Sequence, residues 1–170
     1  MCQFYPPYHT YTIHSISLTQ SPPPPLHPFR WFRGRYSSLH FLVNNAGIVY
    51  LPSQPFDLHN PPTSKQGYDS AFATNYLGHF LLTELMLPTL KSTTDGRILS
   101  VASTAHVTVS GGDLRCVGQD GAPVCAGPVR STAAYFSAYG NNKLAQILHA
   151  RQLQKELDGD PSSNGLKVKI

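Results

Sequence analysis

The feature that most constrains this chain is a break in texture near residue 38. Seven of the fifteen prolines lie before it, four of them consecutive from Pro22 to Pro25. Proline lacks an amide hydrogen and fixes φ, so this segment cannot run as a central strand or a helix interior. Tyr, His, Ser and Thr fill the remainder without period 2 or 3.6. Residues 1–38 are therefore read as a Pro-rich disordered or polyproline II arm, and the folded body as residues 39–170. Within the arm, Pro25-Leu26-His27-Pro28-Phe29-Arg30 matches the pattern Pro-x-x-Pro-x-Arg, which SH3 domains take up as polyproline II. A non-catalytic interaction protein using that arm is the alternative reading of the chain.

From Leu39 onward the pattern is regular. Leu39 to Val43 is an apolar run too short for a helix and bounded by Asn44-Asn45-Ala46-Gly47, which reads as a buried strand. Residues 51–62 are Pro-rich and form a loop. Thr63-Ser64-Lys65-Gln66 has the spacing of a capping box, and a helix is expected from there to Leu87, with Phe72, Leu77, Phe80, Leu81 and Leu85 on its apolar side and Pro88 near its end. Arg97 to Val101 is the next strand, residues 108–131 a Gly-rich surface loop, Thr132 to Leu157 a second long helix, and Leu166 to Ile170 a third strand. Strand, helix, strand, helix, strand is the order of a parallel sheet with crossover helices.

Four stretches can carry chemistry. Tyr139 and Lys143 stand at i and i+4, one turn apart on one helical face. A free phenol is a poor base at neutral pH, with a pKa of about 10. A neighbouring ammonium favours the phenolate, and such a pair can give or take a proton near neutrality. Taken alone, the same spacing also describes a solvated surface pair. Ser103 follows the second strand at its C-terminal end, where parallel sheets present ligand-binding groups. Its hydroxyl can donate to a carbonyl oxygen, or simply cap a turn. Asn75 is a polar residue in mid-helix, able to bond a freed carbonyl or a water, or to stand partly exposed. Asn44, Asn45, Ala46 and Gly47 end the first strand; their small size lets a planar ligand approach the backbone, as it would also suit a plain turn.

In order along the chain, Leu42-Val43-Asn44-Asn45-Ala46-Gly47, Asn75-Tyr76-Leu77-Gly78-His79-Phe80-Leu81-Leu82, Arg97-Ile98-Leu99-Ser100-Val101-Ala102-Ser103 and Tyr139-x-x-x-Lys143-Leu144-Ala145 form a set that resembles the short-chain dehydrogenase/reductase family. The similarity is greatest to its retinol-dehydrogenase-like and WW-domain-oxidoreductase-like members. The resemblance spans residues 39–170. It implies an α/β fold with a doubly wound, Rossmann-like parallel sheet and an oxidoreductase that passes hydride between NAD or NADP and a carbonyl or alcohol, with a lipophilic retinoid or steroid-like substrate as the expectation. It implies Tyr139 as general acid and base, with Lys143 stabilising its phenolate and bonding the nicotinamide ribose. Ser103 would hold the substrate oxygen, Asn75 would fix a water in the proton relay, and Asn44, Asn45, Ala46 and Gly47 would support the cofactor.

Three departures accompany the resemblance. No Thr-Gly-x-x-x-Gly-x-Gly turn, which would seat a pyrophosphate on a helix N-terminus, occurs in the 170 residues. The last residues stop where the third strand begins, before a substrate lid. The stretch between Ser103 and Tyr139 is long, and Ala102 stands where many members carry a second serine. The family part is thus expected to be a partial domain lacking its first strands and Gly-rich loop, preceded by an unrelated arm. Such a chain is expected to be poorly stable, weak in cofactor binding and inactive as a fragment. Pairing with a second copy or a full-length relative through its helices is a further expectation.

Bulk properties narrow the rest. Net charge is +4, of which Arg30, Arg33 and Arg35 contribute +3 and residues 39–170 only +1. A near-neutral body does not supply the basic face that nucleic acid requires. Cys2, Cys116 and Cys125 form no disulfide framework and no zinc spacing, so the reading is free thiols, no metal and a reducing compartment. No apolar run reaches the roughly 18 residues that span a bilayer, and a cytoplasmic protein is expected.

Overall fold

The computed structural model describes residues 32–49, 64, 66, 68–109 and 132–170. The proline tract, the Pro-x-x-Pro-x-Arg segment, the three cysteines, half of the expected capping box (Thr63 and Lys65) and the loop from 110 to 131 lie outside the described residues.

Three parallel strands form one sheet in the order β1 (Phe41–Asn44), β2 (Arg97–Ser100), β3 (Lys167–Lys169). Leu42 stands opposite Ile98, and Ile98 opposite Val168. A helical run connects β1 to β2. It begins as α1 (Ser70–Phe72), widens into a π turn over Ala73–Leu77 and continues as α2 (Gly78–Lys91). The crossover from β2 to β3 is α3 (Thr132–Asp158). Successive right-handed crossovers that step in one direction place their helices on the same face. Accordingly, Leu82, Met86 and Leu90 of α2 and Leu153 and Leu157 of α3 share one core with Leu42, Ile98 and Leu166. The opposite face is bare among the described residues. Strand β1 alternates, Leu42 and Asn44 inward, Phe41 and Val43 outward with 63% and 48% exposure. Parallel sheets normally bury both faces, so half of a doubly wound architecture is on view, as the sequence predicts.

Several boundaries differ from expectation. The division at residue 38 falls too late. Residues 32–35 make a helical turn, Phe32 is buried in the core, and Tyr36 stacks on it with ring centroids 5.0 Å apart. Phe32 and Tyr36 are apolar enough to join the core, and their nearness to the prolines concealed it. The helix before β2 starts at Ser70 rather than at a 63–66 capping box, because Asp69 accepts the Phe72 amide at 2.8 Å and serves as N-cap. Burial raises the Asp69 carboxyl above its ordinary range, against the lowering effect of the Phe72 and Ala71 amides. Pro88 does not end the helix; it lies inside α2, exposed, and the run continues to Lys91.

The end of α2 is tied down by threonine and glycine. Thr93 Oγ1 donates to the Thr89 carbonyl at 2.7 Å and accepts the Leu39 amide at 2.9 Å, which joins the helix end to the entry of β1. Gly96 opens β2 where a Cβ would lie 3.0 Å from Leu166 Cδ1 and 3.2 Å from the Leu90 carbonyl; only glycine lets the strand start so close to that helix.

On the far side of the turn before β3, Asp160 pairs with Lys91 at 2.7 Å. The Lys91 ammonium first, then the Ser162 hydroxyl and amide, hold the Asp160 carboxyl at about 2, below its ordinary 3.8. A carboxyl lowered in the folded state stabilises it above the unfolded value and loses that contribution as pH falls from 3.8 towards about 2. Asp160→Asn is therefore expected to be less stable than the parent at pH 5 and to converge with it near pH 2. Acid unfolding followed by circular dichroism checks this; two curves offset equally at every pH would contradict it.

Candidate functional site

The site is assembled at the C-terminal ends of β1 and β2, where the strands hand over to loops and two helices close in. Asn44 ends β1 buried. Its amide nitrogen donates to Thr83 Oγ1 at 3.0 Å, and its carbonyl accepts the Val101 amide at 3.0 Å, which extends the ladder past β2. Asn45, Ala46 and Gly47 then run outward, exposed or half-exposed.

Asn75 is completely buried. Its side chain binds one residue twice, accepting the Ile48 amide at 2.8 Å and donating to the Ile48 carbonyl at 2.9 Å. This pairing imitates a strand's own hydrogen bonds and holds the segment after Gly47 against the π turn. The Asn75 carbonyl is engaged from the other side, accepting the Gln146 amide at 2.7 Å. A π turn spaces its carbonyls more widely than an α turn, which leaves room for a bond from another element.

Lys143 is 4% exposed, yet among the described residues no carboxylate partners it. Its ammonium donates to the Val101 carbonyl at 2.8 Å, two residues before Ser103, and lies 5.6 Å from the centre of the Tyr139 ring. A Cβ on Gly47 would lie 4.0 Å from Lys143 Nζ and 3.4 Å from Asn75 Oδ1. The loop after β1, the π turn, the end of β2 and α3 thus converge on one ammonium. Burial pushes the Lys143 ammonium below its ordinary range, since desolvation penalises the charged form.

Ser103 is half-buried with an extended backbone. Its Oγ accepts the Ala105 amide at 3.2 Å and caps the short 3-10 turn Thr104–Thr108, against which α3 packs. The capping role uses a lone pair and leaves the hydroxyl hydrogen free to donate. His106 Nδ1 lies 2.6 Å from the Ser103 carbonyl and fixes the same turn. Beside Ser103 opens a cavity of about 500 Å³, lined mostly by apolar groups including Leu99, Val101, Ala102 and Ile147. Tyr139 is half-buried on α3, one turn before Lys143.

Of the residues singled out from sequence, Gly47, Asn75, Tyr139 and Lys143 meet around one point, and Ser103 sits at the end of the strand extension that Lys143 holds. Asn44 acts through Thr83 and the β2 ladder. Sequence reading passed over Ile48, whose backbone pairs with Asn75, and His79 and Gln146, both buried beside the site. Their signal was spacing: His79 is four residues after Asn75 and Gln146 three after Lys143, each one turn along the same helical face. Among the described residues no group of three His, Cys, Asp or Glu could hold a metal, and no helix is long and apolar enough to cross a membrane.

Residues 28–112 match the family model described as short chain dehydrogenase, a span that begins before the expected boundary at 38. The chain is 34% identical over 128 residues to retinol dehydrogenase 12 of Mus musculus, covering 75% of this chain and 34% of that protein. It is 31% identical over 137 residues to polyprenol dehydrogenase of Homo sapiens, covering 77% and 35%. It thus spans about a third of the length of the curated relatives it matches. A solved short-chain dehydrogenase from Streptomyces avermitilis superimposes with a TM-score of 0.52 at 22% identity, over 83% of this chain and 40% of that one, which supports the Rossmann-like fold. With the match spanning half of its residues, and with the four sequence blocks gathered on one sheet edge, the chain belongs to the short chain dehydrogenase family.

Proposed function

We propose that this chain carries the proton-handling half of an oxidoreductase site that passes hydride between NAD or NADP and a carbonyl or alcohol. The observation that carries the reading is the buried Lys143 ammonium, anchored on the Val101 carbonyl and lying over the Tyr139 ring beside Gly47 and Asn75. Such a cation, short of anionic partners, has two N–H donors to spare for ribose hydroxyls, and Gly47 leaves the approach open. A nicotinamide cofactor, when bound, supplies or accepts the hydride. Tyr139 gives its proton to the substrate oxygen in reduction and takes it back in oxidation, while Lys143 stabilises the charge left on the phenolic oxygen. Ser103 donates its free hydroxyl hydrogen to the same substrate oxygen. Asn75 holds the loop that flanks the cofactor.

The apolar cavity beside Ser103 favours a lipophilic substrate, in keeping with the retinol and polyprenol dehydrogenases among its relatives. The 170 residues contain no Gly-rich pyrophosphate turn, so cofactor affinity of the chain alone is weak in this reading, and pairing with a full-length relative completes the site. A cytoplasmic setting is part of the same proposal.

Titration of the purified chain with NADPH and NADH, followed by nucleotide fluorescence, tests it. Saturable binding that is lost in Lys143→Met supports the reading. Binding that is indifferent to Lys143, or none at any concentration alone or mixed with a full-length relative, removes it. In the latter case, capture by an SH3 domain that depends on Arg30 would favour the interaction-protein alternative.

A further inference from the structure

Two buried polar residues stand next to the site without a part in the mechanism above. We propose that Gln146 and His79 are positioning residues: Gln146 clamps the Asn75 carbonyl and holds His79 as the neutral Nε2–H tautomer, so that Lys143 is the single cation at the site. The functional meaning of this arrangement rests on the dehydrogenase reading; the arrangement itself does not.

The argument starts from hydrogen count. Gln146 and His79 are 3% and 9% exposed. The Gln146 amide nitrogen has two hydrogens and no acceptor capacity. It lies 2.7 Å from the Asn75 carbonyl oxygen and 3.0 Å from His79 Nδ1. The opposite amide orientation would set two oxygens against each other at 2.7 Å, so the carbonyl fixes which way the amide points. With both hydrogens used, one of them on Nδ1, that ring nitrogen accepts and the imidazole proton resides on Nε2.

The surroundings oppose a charge on His79, while Nε2 is buried without a hydrogen-bond partner among the described residues. From α3 the groups that act on His79 are Gln146 and the Lys143 ammonium; from its own helix it is the Asn75 carbonyl. Burial first and Lys143 second oppose a charge on His79, and the Asn75 carbonyl alone favours one. Glu84, farther along α2, acts on His149 instead. A protonated His79 would set a second cation near Lys143, drive the ammonium towards its neutral form and weaken the charge that stabilises the Tyr139 phenolate. By occupying both Nδ1 and the carbonyl that would reward protonation, Gln146 prevents this.

The test uses the full chain with 15N-histidine. Long-range 1H–15N spectra at neutral pH are expected to show His79 with Nδ1 bare and Nε2 protonated, titrating below the ordinary imidazole range. Gln146→Met keeps the length and removes the donor; the His79 midpoint is then expected to rise by about one unit, the worth of one buried hydrogen bond. Where turnover is measured, kcat in Gln146→Met gains an acid limb that follows this titration, with KM unchanged. An Nδ1–H tautomer or a charged His79 in the parent chain at neutral pH overturns the proposal, and needs no variant that folds. An unchanged His79 midpoint in Gln146→Met overturns it as well. Because these readouts involve no cofactor, a chain that binds no NADPH, alone or mixed with a full-length relative, yet shows the tautomer and the shift refutes the dehydrogenase reading and leaves the clamp standing.

Discussion

Asn75→Leu is expected to lower the unfolding free energy by about 2 kcal/mol, the loss of two part-buried hydrogen bonds to the Ile48 backbone at about 1 kcal/mol each. The Ile48 amide and carbonyl both depend on this one side chain, and leucine offers neither donor nor acceptor while keeping nearly the same volume. The loss is therefore one of hydrogen bonding rather than of packing. The loop from Asn45 to Ile48 is expected to detach, and hydrogen exchange at the Ile48 amide to accelerate towards the open-chain rate. Asn75→Asp separates the two halves of the pairing: the carboxylate still accepts the Ile48 amide but repels the Ile48 carbonyl, so the penalty should shrink as pH falls and the acid becomes a donor. Denaturant unfolding of the parent and both variants checks the values. An Asn75→Leu protein as stable as the parent would mean that Ile48 is held by something else.

Lys143→Met has the second large effect, and its two consequences run in opposite directions. The ammonium is almost wholly enclosed and, among the described residues, has one carbonyl partner and no counter-charge. Enclosing an ion costs several kcal/mol; exchanging it for a thioether of similar length forfeits one charge-assisted bond worth about 1.5–3 kcal/mol and leaves the Val101 carbonyl to a water. The balance is an expected gain in stability of about 1–2 kcal/mol, read as a higher denaturant midpoint. In an assembly that turns over, the same change, like Tyr139→Phe, is expected to slow the reaction by about 10²–10⁴-fold, the usual yield of a positioned acid or base. A residue that weakens the fold while serving chemistry is what stability–activity trade-off predicts. If Lys143→Met proved markedly less stable than the parent, the lysine would have to be regarded as a structural strut.

Much of this was legible in the sequence because short elements with strong patterns carry it. The Leu39–Val43 run, the Asp95-Gly96 turn before β2 and the long stretch from Thr132 gave strands and a helix within a residue or two of those observed. The spacing of Tyr139 and Lys143 placed them on one face.

What escaped was the buried side of the helix between β1 and β2. Its inward stripe reads Asn75, His79, Thr83, Met86, Leu90, so its first half is polar because it lines the site. Apolar periodicity pointed instead to Phe80 and Leu81, which are 39% and 42% exposed. Phe80 meets Tyr76 and His149 in an outward aromatic cluster, with centroids 6.2 and 4.9 Å away. The buried role of Phe32 was hidden for a related reason: local proline content says nothing of a single aromatic that reaches back to a distant core.

The π turn at Ala73–Leu77 works as a phase shifter. A regular α-helix advances by about 100° per residue, so one surplus residue rotates everything downstream by that angle relative to what precedes it. Ala71 and Phe72 upstream and His79 and Met86 downstream, which would share one face of an unbroken helix, are thereby turned in different directions, and both sets are buried. Deleting one surplus residue from the wide turn would leave both seams facing as they do now and remove only the widened turn itself, whereas straightening it at constant length would swing one seam out of the core.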